Sequence, residues 1–149
     1  MDILRRNTDY ALRLMVNLAR KEPGEPVSTR VLADEEDVSY QIACKLMQRL
    51  QGAGLVKSCM GPKGGFRLSR RPARVSLLYI VDAIQGRMSL NRCLLSDQAC
   101  PRWTDCTMRA GLQKLQRRME EYLGNTTLEQ LSKARLQLRR TLKKGTRRK

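Results

Sequence analysis

Ser39-Tyr40-Gln41-Ile42-Ala43-Cys44-Lys45-Leu46-Met47-Gln48-Arg49-Leu50-Gln51, followed by Gly52 and Gly54, is the stretch whose reading decides the fold. Serine is a favoured helix N-cap, and the paired glycines supply a stop, so a helix is predicted from Ser39 to about Gln51. At 3.6 residues per turn, Ile42, Ala43, Leu46 and Leu50 share one side, expected to be buried. Tyr40, Gln41, Cys44, Lys45, Gln48 and Arg49 share the other.

Towards the N-terminus, Asp34-Glu35-Glu36-Asp37 makes an acidic turn. A short helix capped by Ser28 or Thr29 runs up to it, to about Glu35. Before that, residues 8–21 read as an amphipathic helix with Leu12, Met15, Val16 and Ala19 on its apolar face, broken by Glu22-Pro23-Gly24-Glu25-Pro26. Two short helices about a tight turn, the second with a polar and basic outer side, form a helix-turn-helix pattern. Helical hairpins also occur in proteins that bind no nucleic acid, so the continuation matters. Residues 55–60 and 66–69 read as two short strands, and Gly61-Pro62-Lys63-Gly64-Gly65 as a tip that requires positive φ angles. Lys57, Lys63 and Arg67 suit a wing laid on phosphates; a plain hairpin closing a small core is the alternative. The order helix, helix, basic hairpin favours the wing.

The charge distribution points the same way. The 149 residues carry a net charge of +16. No acid occurs between Asp37 and Asp82, whereas eight lysines and arginines do. From Lys133 onward there are nine basic residues and no acid. A polyanion is the natural partner of such a stripe, because each neutralised phosphate releases condensed counterions. A solvated basic surface, or a sequence-indifferent electrostatic binder, is the plainer reading of charge alone. Aromatic residues make up only 4% of the chain, so aliphatic side chains and methionines must build the core, which favours helices. With no histidine, no phosphate loop, no nucleophile elbow and scattered carboxylates, an enzyme is not expected. No secretory signal or membrane-length apolar run is seen, and a cytoplasmic location is expected.

Beyond the hairpin, Ser76 opens a helix with Leu77, Ile80, Val81 and Ile84 on one face, ending near Gly86. A long helix from about Thr107 carries Met108, Leu112, Leu115, Met119 and Tyr122 at alternating steps of four and three. That heptad-like seam on a charged helix suits a second copy of the chain, with Leu112, Leu115, Met119 and Tyr122 at the dimer interface. Thr126 and Glu129 are expected to form the capping box of a last helix with Leu128, Leu131, Leu138 and Leu142. Between the two longer helices lie Cys93, Cys100 and Cys106. Three thiols on one loop suit thiolate ligation of an iron–sulfur cluster, while the lack of a Cys-x-x-Cys pair argues against a zinc knuckle. Three unligated, redox-active cysteines remain the alternative, and without histidine a fourth ligand must be a carboxylate, a small molecule or a group from a second chain.

Several of these stretches together resemble the IscR/NsrR/RirA-type family of winged-helix, iron–sulfur-cluster-responsive transcriptional regulators. They are Asn7-Thr8-Asp9-Tyr10-Ala11-Leu12-Arg13, Lys45–Leu50 with Gly54-Leu55-Val56, Gly61–Leu68, the three cysteines, and Thr126–Leu131. The resemblance spans about residues 3–132. It implies a mainly α fold with a small β-hairpin wing, namely a winged helix-turn-helix head at 1–86. A cysteine loop at 87–106 and a dimerisation helix with a C-terminal helix at 107–142 follow, then a basic tail at 143–149 expected to be disordered. It implies a homodimer on a palindromic operator in double-stranded DNA, and an iron–sulfur cluster, four-iron or two-iron, whose state sets operator affinity. Carried over by position, Cys93, Cys100 and Cys106 are the cluster ligands. Asp9 matches the aspartate that nitric-oxide-sensing members supply from the opposite subunit; a solvated first-turn charge is its plainer role. Ser39, Tyr40, Gln41, Lys45, Gln48, Arg49, Lys57, Lys63 and Arg67 are the candidate DNA contacts. Met60 stands where the family often has a wing arginine, and Cys44 where a polar reader is expected. A cluster-free regulator controlled by thiol oxidation or a partner protein is the rival function.

Overall fold

The computed structural model describes residues 3–96, 100–102 and 104–134. Within them the chain is mainly helical: α1 (Arg6–Leu18), α2 (Thr29–Glu36), α3 (Tyr40–Gly52), the antiparallel pair β1 (Val56–Cys59) and β2 (Gly65–Leu68), then α4 (Leu77–Gln85) and α5 (Thr107–Asn125). A further helix begins at 128 and is followed to 134. Leu138 and Leu142, expected on the same helix, and the 143–149 tail lie outside the described residues. None of the described helices is long and apolar enough to cross a membrane.

The helix starts follow from local chemistry. Ser28, Ser39 and Ser76 each occupy an N-cap in extended conformation, and their hydroxyls accept from the amides of Val31, Ile42 and Tyr79. Such caps satisfy amides that have no partner inside the helix. Helix α2 stops at Asp37, which adopts the left-handed conformation (φ 53°) that a short polar side chain tolerates. The turn between α2 and α3 is thereby only three residues long.

Helix α1 lies at the centre of the head, packed by α2, α3 and α4. Its buried residues, Thr8, Ala11, Leu14, Met15, Val16, Asn17 and Leu18, cover a broader and rotated arc compared with the predicted stripe, and Leu12 and Ala19 sit at the rim. Neighbours on three sides explain the difference. The same holds for α3: Met47 is fully buried beside Ala43, Leu46 and Leu50, and Ile42 is only partly covered. A polar clamp fixes α1 to α2. Asn17 donates to the carboxylates of Glu35 (2.9 Å) and buried Glu36 (2.7 Å), and Arg13 donates to the Glu36 carbonyl. Lys21 pairs with Glu35 at 2.7 Å. Lys21 and Asn17 together hold the Glu35 carboxyl below its ordinary pKa.

The hairpin register pairs Val56 with Leu68, Lys57 with Arg67, Ser58 with Phe66 and Cys59 with Gly65. Val27 adds a single bridge to the outer side: its amide donates to Phe66 O and its carbonyl accepts from the Phe66 amide, at 2.9 and 2.8 Å. This contact requires glycine at 65. Its φ is +151°, and a Cβ there would lie 2.2 Å from the Val27 carbonyl oxygen. A second bridge, Ser76 to Thr127, ties the head to the start of the last helix, with Leu128 fully buried in the common core. The capping box of that helix is Thr127–Gln130. Gln130 Oε1 accepts from the Thr127 amide, and Thr127 Oγ1 accepts from the Gln130 amide. The expected pair, Thr126 and Glu129, is displaced by one residue because Thr126 Oγ1 donates instead to Tyr122 O, closing α5.

Candidate nucleic-acid interface and cysteine segment

The side of α3 away from the core carries Tyr40, Gln41, Lys45, Gln48 and Arg49, all exposed, with Cys44 half-buried among them. Burial of Ala43, Leu46, Met47 and Leu50 on the opposite side leaves this orientation as the one that keeps the core closed. Ser39 is exposed at the N-terminal tip, its hydroxyl used as the cap. A feature not evident in the sequence is Arg30 of α2, whose guanidinium stacks over the Tyr40 ring at 4.8 Å. Side-chain hydrogen bonding to Cys44, charge repulsion from the same thiol and slight desolvation raise the Tyr40 phenol above its ordinary pKa; Arg30 opposes them. Tyr40 is therefore a neutral hydrogen-bonding group at physiological pH.

The hairpin adjoins α3. Gln51 Nε2 donates to Ser58 Oγ at 3.1 Å, fixing the end of α3 to β1. Lys57 and Lys63 are exposed, and Met60 is 100% exposed at the tip. Arg67, directly across from Lys57, is half-buried and lines a cleft of about 630 Å³ with Arg70 and Arg71, opposite Pro23 and Gly24. Gln51 thus joins α3 to a wing whose Lys57 and Lys63 are exposed, whereas Arg67 turns to a cleft that Glu22, Glu25 and Glu129 also line and whose lining includes no residue of α3.

Helix α4 packs on α5, and α5 in turn packs on a 3₁₀ turn at Arg92–Leu94. Cys93 lies in that turn, Cys100 follows, and Cys106 is the residue before α5. All three are half-buried free thiols. Their donor chemistry suits thiolate ligation, yet among the described residues of one chain no three of Cys, Asp or Glu are gathered closely enough to hold a metal ion. Asp9 stands on the first turn of α1, its side chain 61% exposed and 3.8 Å from Arg13.

The seam of α5 is uncovered within one chain. Met108, Leu115 and Tyr122 are 68%, 54% and 70% exposed, while Leu112 and Met119 are half-buried. The one buried residue of the helix is polar: Gln116, 7% exposed. Its side chain donates to Met88 O and accepts from the Leu90 amide, both at 2.9 Å. It donates also to Glu120 at 2.8 Å. Gln116 thereby fastens the strand of chain that leads into the cysteines onto α5, a role that no hydrophobic pattern could have revealed.

Comparison with known proteins agrees with this architecture. The NsrR transcriptional repressor of Streptomyces coelicolor is 34% identical over 125 residues, covering 83% of this chain and 84% of the relative. The solved structure of CymR, the global cysteine regulator of B. subtilis, superposes with a TM-score of 0.76 at 26% identity, covering 90% of this chain and 98% of that one. That of T. potens IscR gives 0.71 at 25% identity, covering 87% and 85%. The family pattern described as "Iron-dependent Transcriptional regulator" matches residues 4–134. With its wing, its outward-facing α3 and this match across nearly the whole described chain, the protein belongs to the Rrf2 family of transcriptional regulators and is not an enzyme.

Proposed function

We propose that the chain acts in the cytoplasm as a homodimeric repressor on a palindromic operator, with affinity set by the cysteine segment. The observation that carries this reading is the exposed polar side of α3, joined through Gln51 to the basic wing while its other side closes the core. Two copies joined along α5 present two α3 helices, which fit successive major grooves about 34 Å apart when half-sites are one turn apart. Gln41 and Gln48 offer amides suited to adenine edges, and Lys45 and Arg49 suit guanine edges or phosphates. Ser39 and Tyr40 reach the backbone at the helix tip, while Lys57, Lys63 and Arg67 line the wing that meets the minor groove. Leu112, Leu115, Met119 and Tyr122 would close against the same residues of the second copy.

Cys93, Cys100 and Cys106 would hold an iron–sulfur cluster, with the partner subunit's Asp9 as the oxygen ligand. When bound, such a cluster supplies a centre that oxidants, nitric oxide or iron scarcity can degrade. The chain's own part is mechanical: Gln116 joins the approach to the cysteines to α5, so the order of residues 90–107 bears on how the two heads are spaced. A coupling of about 1–3 kcal/mol is enough to change promoter occupancy severalfold or more. A cluster-free, thiol-oxidation switch has a specific point in its favour, the likeness to a solved cysteine regulator.

Anaerobic purification separates the two. A brown protein containing iron and sulfide, whose operator binding changes on reconstitution and whose Cys93→Ala variant does not respond, supports the cluster. Identical operator affinities for Cys93→Ala and wild type, with and without reconstitution, would refute cluster gating.

A further inference from the structure

Beside the surface described above lies a second group of cations that the helix-turn-helix pattern does not include. A cleft of about 300 Å³ between the start of α1, the end of α4 and α3 is lined by Arg5, Arg6, Asn7, Arg49 and Gln85 among others. It adjoins a larger cleft of about 680 Å³ along α3, lined by Asn7, Lys45, Gln48 and Arg49. Asn7 and Arg49 line both, so the outer side of α3 runs without a break into the segment that precedes α1. No aspartate or glutamate lines either cleft. Among the described residues, Arg5, Arg6 and Arg49 form no ion pair.

The segment is also held in place. Gln85, the last residue of α4, accepts from the Arg5 amide (3.1 Å) and from Thr8 Oγ1 (2.7 Å), and its own amide donates to Ile3 O (3.0 Å). One side chain thus spans residues 3 to 8 and fixes where the two arginines begin. Three arginines lining one cleft, with no ion pair among the described residues, repel one another, and ordering them in advance reduces what a ligand must supply on binding.

We propose that this arm is a second phosphate-binding element, in which Arg5 and Arg6 act with Arg49 on the backbone of duplex DNA flanking the groove that α3 enters. The inference rests on the DNA-binding reading and deepens it. Continuity with α3 selects duplex DNA over any other polyanion: a duplex seated on Lys45 and Gln48 carries its phosphates past Arg49 towards Arg5 and Arg6. The site stands on these side chains; the uncapped first turn of α1 adds only a weak field of the same sign. Phosphate contacts position without reading sequence, so the arm adds affinity for every duplex equally.

The test uses the full chain and two duplexes of equal length, one selected by the wild-type protein from a randomised pool and one of mixed sequence. Binding is followed by fluorescence anisotropy over a salt series. Arg5→Ala/Arg6→Ala should lower the slope of log K against log salt by about two, and weaken both duplexes alike by about ten- to a hundredfold near 0.1 M salt. Arg117→Ala/Arg118→Ala removes the same charge from the exposed side of α5 and should change the slope by much less. Gln85→Ala keeps every charge and should weaken both duplexes by about three- to tenfold through the loosened arm. An unchanged slope and affinity in Arg5→Ala/Arg6→Ala, with wild type binding normally, overturns the arm alone. An equal effect from the α5 pair also overturns it, since net charge would then be the cause. Failure of the wild type to select or bind any duplex overturns the DNA reading on which the arm rests.

Discussion

Replacing Gln116 with leucine keeps a side chain of similar volume in the buried position on α5 while deleting its donor and acceptor. Two main-chain groups then lose their partners. Met88 O sits in a buried hydrogen bond, and an unpaired buried carbonyl costs about 1–3 kcal/mol. The Leu90 amide is only partly buried, so water recovers much of that bond and the loss is about 0.5–1.5 kcal/mol. The contact with Glu120 is near the surface and adds little. The sum is about 1.5–4.5 kcal/mol, which for a chain of this size lowers the thermal midpoint by about 3–18 °C. Differential scanning calorimetry measures that shift, and hydrogen exchange at the Leu90 amide locates it, with protection falling there and spreading towards Cys93. Gln116→Glu provides a second reading. It keeps an acceptor for Leu90 but turns a carboxylate towards Met88 O, so it should be worse than leucine at neutral pH and recover in acid as the carboxyl regains a donor. A midpoint within about 1 °C of wild type for Gln116→Leu, with unchanged Leu90 exchange, would show that Gln116 does not hold the cysteine segment on α5.

Gly65→Ala forces a Cβ against the Val27 backbone, so the hairpin must leave Val27; a loss of about 2–4 kcal/mol in chemical denaturation and weaker duplex binding are expected, and retention of both would refute the close approach. Asp82 has its pKa raised by desolvation and then by Glu120, with Arg87 opposing. A carboxyl whose folded pKa lies above its unfolded one destabilises the fold at high pH and loses that penalty as pH falls through the folded value. Asp82→Asn should therefore raise the midpoint at pH 7 but not near pH 3, and equal shifts at both would contradict the assignment. Thr127→Ala should cost about 1 kcal/mol through the lost capping box, and Thr126→Ala distinctly less; the reverse ranking would restore the box read from the sequence.

The parts of this fold written in local chemistry were legible in the chain. The serine caps at 28, 39 and 76, the two-stranded wing with its glycine tip and the outward side of α3 all follow from the residues themselves and their immediate neighbours. What escaped reading depends on partners distant in sequence. Met47 is buried and Ile42 only partly covered because α1, α2, α4 and β1 all pack against α3. The capping box moved by one residue because Thr126 had a competing acceptor in Tyr122. Arg30 over Tyr40, Gln85 across Ile3 and Thr8, and Asn17 on Glu35 and Glu36 are single polar contacts that leave no periodic trace. The cysteines were visible as a group, but their arrangement depends on more than spacing: among the described residues of one chain they form no group that could hold a metal ion.

Nineteen residues of α5 conceal only one side chain, and that one is an amide. A helix so poorly rewarded by its own subunit draws its permanence from whatever lies along Met108, Leu115 and Tyr122. If that is a second copy, folding and assembly are one event: the midpoint of unfolding must climb with total protein concentration, and dilution alone will melt the helix.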